Sequence, residues 1–513
     1  MTRREEVDAE VVVVGAGHNA LICAAYLAEA GLRVTVLEAN AAIGGNTITE
    51  ELTLPGWQHD SCSSAHVVIQ TNPLLADDEL ALKARYGLDY VVTDPAVVVP
   101  LDDGDALIIH SDLEATAQEF ARFSPDDAQA LRDMMREWSD GLRDAHAHVQ
   151  AGLDPPNDEW RDRYERLRAR SAWDVVRTTF THPVIQRAMA WMAFATIQPP
   201  TRAGTGALPA AIVAGRLRFG WATPKGGSGA LPAALRRHLD DHGATVEVNA
   251  RVEHYLVEQG RCVGVVTKDG RAYRATRAVV SGAHLTTLPS SLPVRAPVLE
   301  DAAARWQPGL SVFAVHFALR DHVSYQSARG PLRAVAGALG SPAGLVAQVD
   351  AALRGELDAH DPWLLIVDST LVDEARAPGT TLKFLTVAPM LLNGEAWSDE
   401  AANRYADHLI ELARRHVTGL DDANILARRV ESPTSLAAHN PANLGGSCHG
   451  GEFVLDDGSI IPGWLDYRGD VEGLYLTGST SHPGGSVSGR PGRNSARVVL
   501  RDLGLDTSFM RQP

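Results

Sequence analysis

The stretch VVVVGAGHNALICAAYLAEAGLRVTVLEANAAIGG, residues 11–45, decides the fold. Val11 to Val14 form an unbroken β-branched run, the pattern of a parallel strand covered on both faces. It ends at Gly15-Ala-Gly17-His-Asn-Ala20. The first glycine allows a tight turn, the second lets a pyrophosphate approach the backbone, and the small third residue, Ala20, lets the next helix lie close to the strand. The spacing predicts a helix from about Asn19 to Ala30, a stop at Gly31, and a second strand, Arg33 to Leu37, which delivers Glu38 to the ribose hydroxyls. Strand, turn, helix, strand and acid in this order specify a dinucleotide site. Glu38 opposes a 2'-phosphate by like charge, but the fingerprint fits NAD as well as FAD.

Sequence further along bears on that choice. Gly44-Gly45 offers a second place where backbone can lie against a phosphate or ribityl chain. Far down the chain, VEGLYLTGSTSHPGGSVSGRPGRNSARVVL (471–500) reads as a buried strand at 473–477, a glycine-rich loop, and a helix from about Gly489. A helix N-terminus aimed at a flavin would stabilise negative charge on the reduced ring.

The opening stretch, together with TPKGGSGALPAAL (223–235), SPTSLAAHNPANLGGSCHGG (432–451) and GLYLTGSTSHPGGSVSGRPG (473–492), resembles the phytoene desaturase-like branch of the flavin amine oxidase superfamily. The resemblance implies FAD. It places Gly15, Gly17 and Ala20 at the pyrophosphate, Glu38 at the adenosine ribose, and Gly44 and Gly45 at the phosphate or ribityl side. It gives Val252 backbone contacts to adenine, and sets Gly478, Gly485, Ser486 and Val487 along the ribityl chain and ring. Many relatives carry an arginine after the double glycine; this chain has Asn46.

The expected architecture is α/β: a Rossmann-like FAD-binding domain, discontinuous over 1–65, 221–300 and 432–513, with an inserted α+β substrate-binding domain of 66–220 and 301–431. The candidate catalytic positions are His482, beside the inferred ring loop, and Cys448 and His449 in LGGSCHGG. A structural role competes at each, since flavin chemistry asks the protein mainly for orientation and exclusion of water. Trp464 is a candidate pocket wall, with core packing as the alternative; His66 is a weaker candidate.

Composition narrows the partners. With 513 residues and a formal charge of -17 at pH 7, the chain lacks the basic surface that nucleic acid requires, and its field disfavours acidic substrates unless a local cluster overrides it. Four scattered cysteines, with no CxxC, indicate neither a disulfide framework nor a zinc site. The charged start carries no signal-peptide pattern, and no apolar run reaches the ~18 residues of a bilayer span, so a cytoplasmic protein is expected. The apolar segments 184–198 and 206–221 read as buried helices lining a core or pocket; peripheral membrane contact and self-association stay open.

The function these features favour is an FAD-dependent oxidoreductase that removes hydride from an apolar or amphipathic molecule, forming C=C or C=N and passing electrons to oxygen or a quinone. A redox-neutral polyene isomerase and a non-catalytic flavoprotein assembly partner are the alternatives.

Overall fold

A computed structural model describes residues 6–440, 442–447, 449–451 and 466–512. Cys448 and Trp464 lie outside the described residues. Two seven-stranded sheets organise the chain.

The first is built on the dinucleotide stretch. Strand Glu6–Val14 lies parallel to Val34–Leu37 on one side and to Ala272–Ser281 on the other. Val34–Leu37 pairs in turn with Thr245–Glu247, and Ala272–Ser281 with Leu474–Leu476, both in parallel. A turn at Lys268-Asp269-Gly270 joins the antiparallel strands Arg261–Thr267 and Ala272–Ser281. Continuous apolar strands such as Val11–Val14 fit this position because helices cover both faces.

Helix His18–Glu29 buries every residue from Asn19 to Ala28, which explains why it has no polar stripe. Its partner is the C-terminal helix Arg490–Asp502. A Cβ at Gly492 would stand 2.2 Å from the Asn19 carbonyl oxygen, so only glycine permits this approach.

The second sheet runs, in order, through Ile425–Glu431, Val312–Leu319, Thr380–Val387, Leu364–Asp368, Ala336–Leu339, Val97–Pro100 and Ala106–Ile109. Helices between residues 113 and 219 pack with it into one extended core. The two apolar segments singled out above become helices Pro183–Ala193 and Leu208–Phe219; Ile185 and Ala188 through Ala193 are buried there. Among the described residues, no helix is long and apolar enough to cross a membrane.

Candidate functional site

A cavity of about 470 Å³ runs from the glycine loops of the first sheet to the second sheet and these two helices. All eleven predicted cofactor positions line it: Gly15, Gly17, Ala20, Glu38, Gly44, Gly45, Val252, Gly478, Gly485, Ser486 and Val487.

At one end, Gly15 turns with φ +89°, and Gly17 caps the helix with ordinary angles. No side chain caps that helix and no acid occupies its first turn. Its N–H groups are therefore left for an anion, favoured also by the helix dipole. A Cβ built on Gly17 meets no protein atom within 4 Å. The glycine keeps a space open for something other than the chain.

Glu38 is held rigidly. Its two carboxylate oxygens accept from the backbone N–H groups of Ala16 at 2.7 Å and Asn40 at 2.8 Å. Gly44 and Gly45 have a structural duty beside any cofactor contact. The Gly44 N–H donates to the Ala16 carbonyl at 2.8 Å, and a Cβ on Gly45 would sit 3.3 Å from Gly17 Cα. The second glycine pair thus packs directly on the first loop.

Asn46 joins an amide cluster. Its Oδ1 accepts from Asn440 at 2.8 Å and from Asn443 at 3.2 Å, while its Nδ2 donates to Asn443 Oδ1 at 2.7 Å. These contacts tie the N-terminal loop to a segment almost 400 residues away. Nearby, the loop Asp60–Ser64, whose Cys62, Ser63 and Ser64 line the cavity, is gathered by the buried Lys383. Its Nζ donates to the carbonyls of Asp60, Ser61 and Cys62 at 3.1, 3.2 and 2.6 Å, and to Ser64 Oγ at 3.2 Å.

His449 lines the cavity, with Nδ1 3.0 Å from Ser486 Oγ. Burial pushes its pKa down to about 4, so the ring is neutral at pH 7. His482 does not line the cavity. Its Nε2 donates to the Val149 carbonyl at 2.7 Å, and its own carbonyl accepts from Tyr467 at 2.6 Å. The histidine expected beside the ring loop therefore anchors that loop to helix Arg143–Gln150, and its ring is engaged elsewhere. His66 is likewise a core residue, bonded to Tyr90 and Ser228.

Three cavity residues adopt left-handed backbone without being glycine: Ile197 (φ 55°), Ser486 (φ 68°) and Val487 (φ 49°). Such conformations cost about 1–3 kcal/mol each, most for β-branched side chains, and concentrate where a site constrains the chain.

The opposite end is apolar and aromatic. Trp191 stacks on Trp363 with centroids 5.4 Å apart, and Ile197, Ile212, Val312, Leu365 and Leu385 complete the wall. Trp221 and Arg216 stand there as well. None of these was singled out from the sequence. The apolar character of 184–198 and 206–221 was the only signal, and it does not distinguish core from cavity wall.

This geometry suits FAD: an acid at a nucleotide loop, an uncapped helix N-terminus behind a glycine with free space, and a glycine-rich second loop leading to an apolar chamber. A protein-family model described as flavin containing amine oxidoreductase matches residues 21–489. Pyridine nucleotide-disulfide oxidoreductase domain-containing protein 2 of Mus musculus is 28% identical, covering 96% of this chain and 94% of that protein. A limonene dehydrogenase component of Castellaniella defragrans is 25% identical (97% and 95%), and a lycopene-forming phytoene desaturase of Pseudescherichia vulneris 24% (96% and 99%). The fold is also that of putrescine oxidase bound to putrescine, at TM-score 0.59 and 15% identity over 98% of this chain and all of that one. Nucleotide loop, chamber and family model agree that this chain belongs to the flavin containing amine oxidoreductases and is an FAD-dependent oxidoreductase.

Proposed function

We propose that the enzyme dehydrogenates an apolar or amphipathic organic molecule, forming a C=C or C=N bond, with oxygen or a quinone taking the electrons. The observation that carries this reading is the aromatic and aliphatic chamber built from Trp191, Ile197, Ile212, Val312, Trp363 and Leu365. The limonene dehydrogenase component and the phytoene desaturase carry hydrocarbon substrates in their names, which supports the same reading.

Bound FAD supplies a two-electron acceptor for hydride. The chain's contribution is binding, orientation and exclusion of water. Gly15, Gly17 and the helix start would hold the pyrophosphate, Glu38 the adenosine ribose, and Val252 the adenine side. Gly44, Gly45, Gly478, Gly485, Ser486 and Val487 would lie along the ribityl chain and ring. His449, neutral and bonded to Ser486, is one of three imidazoles on the cavity wall, with His18 and His284. We assign residues 1–65, 221–300 and 432–513 to the cofactor unit and 66–220 and 301–431 to the substrate unit; the strands of the two sheets fall accordingly.

An amine substrate is less well served. Among the described residues, Glu38 is the only carboxylate lining the cavity, and it is engaged at the nucleotide loop. The small-molecule partner is thus drawn as an uncharged or acceptor-bearing apolar compound, with no nucleic acid involved.

The test is anaerobic mixing of the holoenzyme with monoterpene, polyene and amine panels while the visible flavin spectrum is followed. Bleaching with formation of a product two hydrogens poorer supports the reading. Turnover to an isomer of the substrate with the flavin reduced beforehand would establish the isomerase instead.

A further inference from the structure

Arg216, in helix Leu208–Phe219, lines the apolar end of the cavity yet is only 4% exposed. Its guanidinium carbon lies 4.0 Å from the centroid of the Trp221 ring. Nη1 makes one long bond, 3.4 Å, to the Gly220 carbonyl, and Nε has no partner. Among the described residues no carboxylate pairs with it. A buried cation without a counter-ion is costly, and the position of this one on a cavity wall gives the cost a purpose.

The surroundings share its polarity. The indole N–H groups of Trp191, Trp221 and Trp363 are buried and unpartnered, as is the Thr196 hydroxyl, and all four residues line the same chamber. A wall with one fixed positive charge and no acidic side chain among its described residues is complementary to an anion with acceptor oxygens. A cationic amine would face like charge there.

We propose that the substrate is an apolar carboxylic acid whose carboxylate is received by Arg216. This rests on the reading of the chamber as the substrate site and narrows it to one substrate class. The planar guanidinium matches a carboxylate, which can accept two parallel N–H bonds. The chain's overall charge of -17 disfavours anions at long range, but salt screens that field, whereas a cation in a low-dielectric pocket acts at full strength at contact. Burial lowers the Arg216 pKa only to about 9, so the group keeps its charge at neutral pH.

The experiment titrates holoprotein with octanoate, octanol and octylamine, reading tryptophan fluorescence and the visible flavin spectrum, for wild type, Arg216→Gln and Arg216→Lys. Wild type should bind octanoate about tenfold or more tighter than the other two. Arg216→Gln should lose that preference while keeping its octanol affinity and flavin content, and Arg216→Lys should retain part of it. If Arg216→Gln does not fold, the wild-type ranking alone decides. Tightest binding of octylamine, equal binding of octanoate and octanol by wild type, undiminished octanoate binding by Arg216→Gln, or flavin loss from both folded variants would each overturn the proposal. Octanol binding without octanoate preference would leave the apolar substrate site standing. Binding of none of the three would remove both.

Discussion

Gly17→Ala separates what the fold needs from what the cofactor needs. Gly17 has φ -64° and ψ 157°, angles that alanine adopts freely, and an added Cβ meets no protein atom within 4 Å. The apo-protein should therefore be unharmed, or stabilised by about 0.4–1 kcal/mol through the lower entropy of its unfolded chain. The holoprotein should not be. The methyl group would project into the space assigned to the pyrophosphate, and forcing an extra methyl into a filled site costs about 1–3 kcal/mol. At about 1.4 kcal/mol per decade, FAD affinity should fall by roughly 5- to 150-fold. The assay pairs the thermal midpoint of apo-protein with titration of FAD into it, followed by quenching of flavin fluorescence. Gly45→Ala is the contrast: with φ +61° and Gly17 Cα 3.3 Å from its Cβ, alanine there should cost the apo fold itself about 1–2 kcal/mol. Gly17→Ala protein that binds FAD within about twofold of wild type would refute the placement of the pyrophosphate. A large drop in its apo midpoint would refute the claim that the space is open.

Other perturbations probe the remaining supports. Glu38→Gln replaces one acceptor oxygen by a donor, so either Ala16 or Asn40 loses its partner; FAD affinity should drop about tenfold with the fold retained, measured by the same titration. Lys383→Met strips a charged donor from three carbonyls and Ser64. It should destabilise the protein by about 3 kcal/mol, seen as a lower thermal midpoint, and loosen the flavin through the Asp60–Ser64 loop. Burial holds His18, His284 and His449 at about 4, and His59, His66 and His146 at about 3, all below the ordinary 6.5. The unfolded chain then binds more protons than the folded one below pH 6.5, so stability is full above that value and falls as pH drops toward 4. Each histidine contributes up to about 1.4 kcal/mol per pH unit. Thermal midpoints that stay flat between pH 6.5 and 4.5 would contradict this; His322, raised by its bond to Asp368, acts in the opposite direction.

The nucleotide half of this protein was legible because its signal is local. Residues 11–45 form strand, turn, helix and strand without interruption, so glycine spacing and apolar runs carry the geometry in the order of the chain itself. Helix His18–Glu29 and strand Val34–Leu37 begin and end within a residue of their expected limits. The C-terminal strand and helix, Leu474–Leu476 and Arg490–Asp502, were readable for the same reason.

The substrate end had no such signature. Trp191, Arg216, Val312 and Trp363 come from separate elements that meet only after the second sheet and its helices have packed, and an arginine within GALPAAIVAGRLRFGW looks like any helix surface position. The turn of His482 toward Val149, and the Asn46 cluster with Asn440 and Asn443, depend equally on contacts hundreds of residues apart. The sequence alone determined that a dinucleotide is held and where its loops lie, because turn sterics and helix periodicity act between neighbours. Tertiary structure alone decided which side chains face the chamber, because burial of a cation beside tryptophans is a property of packing.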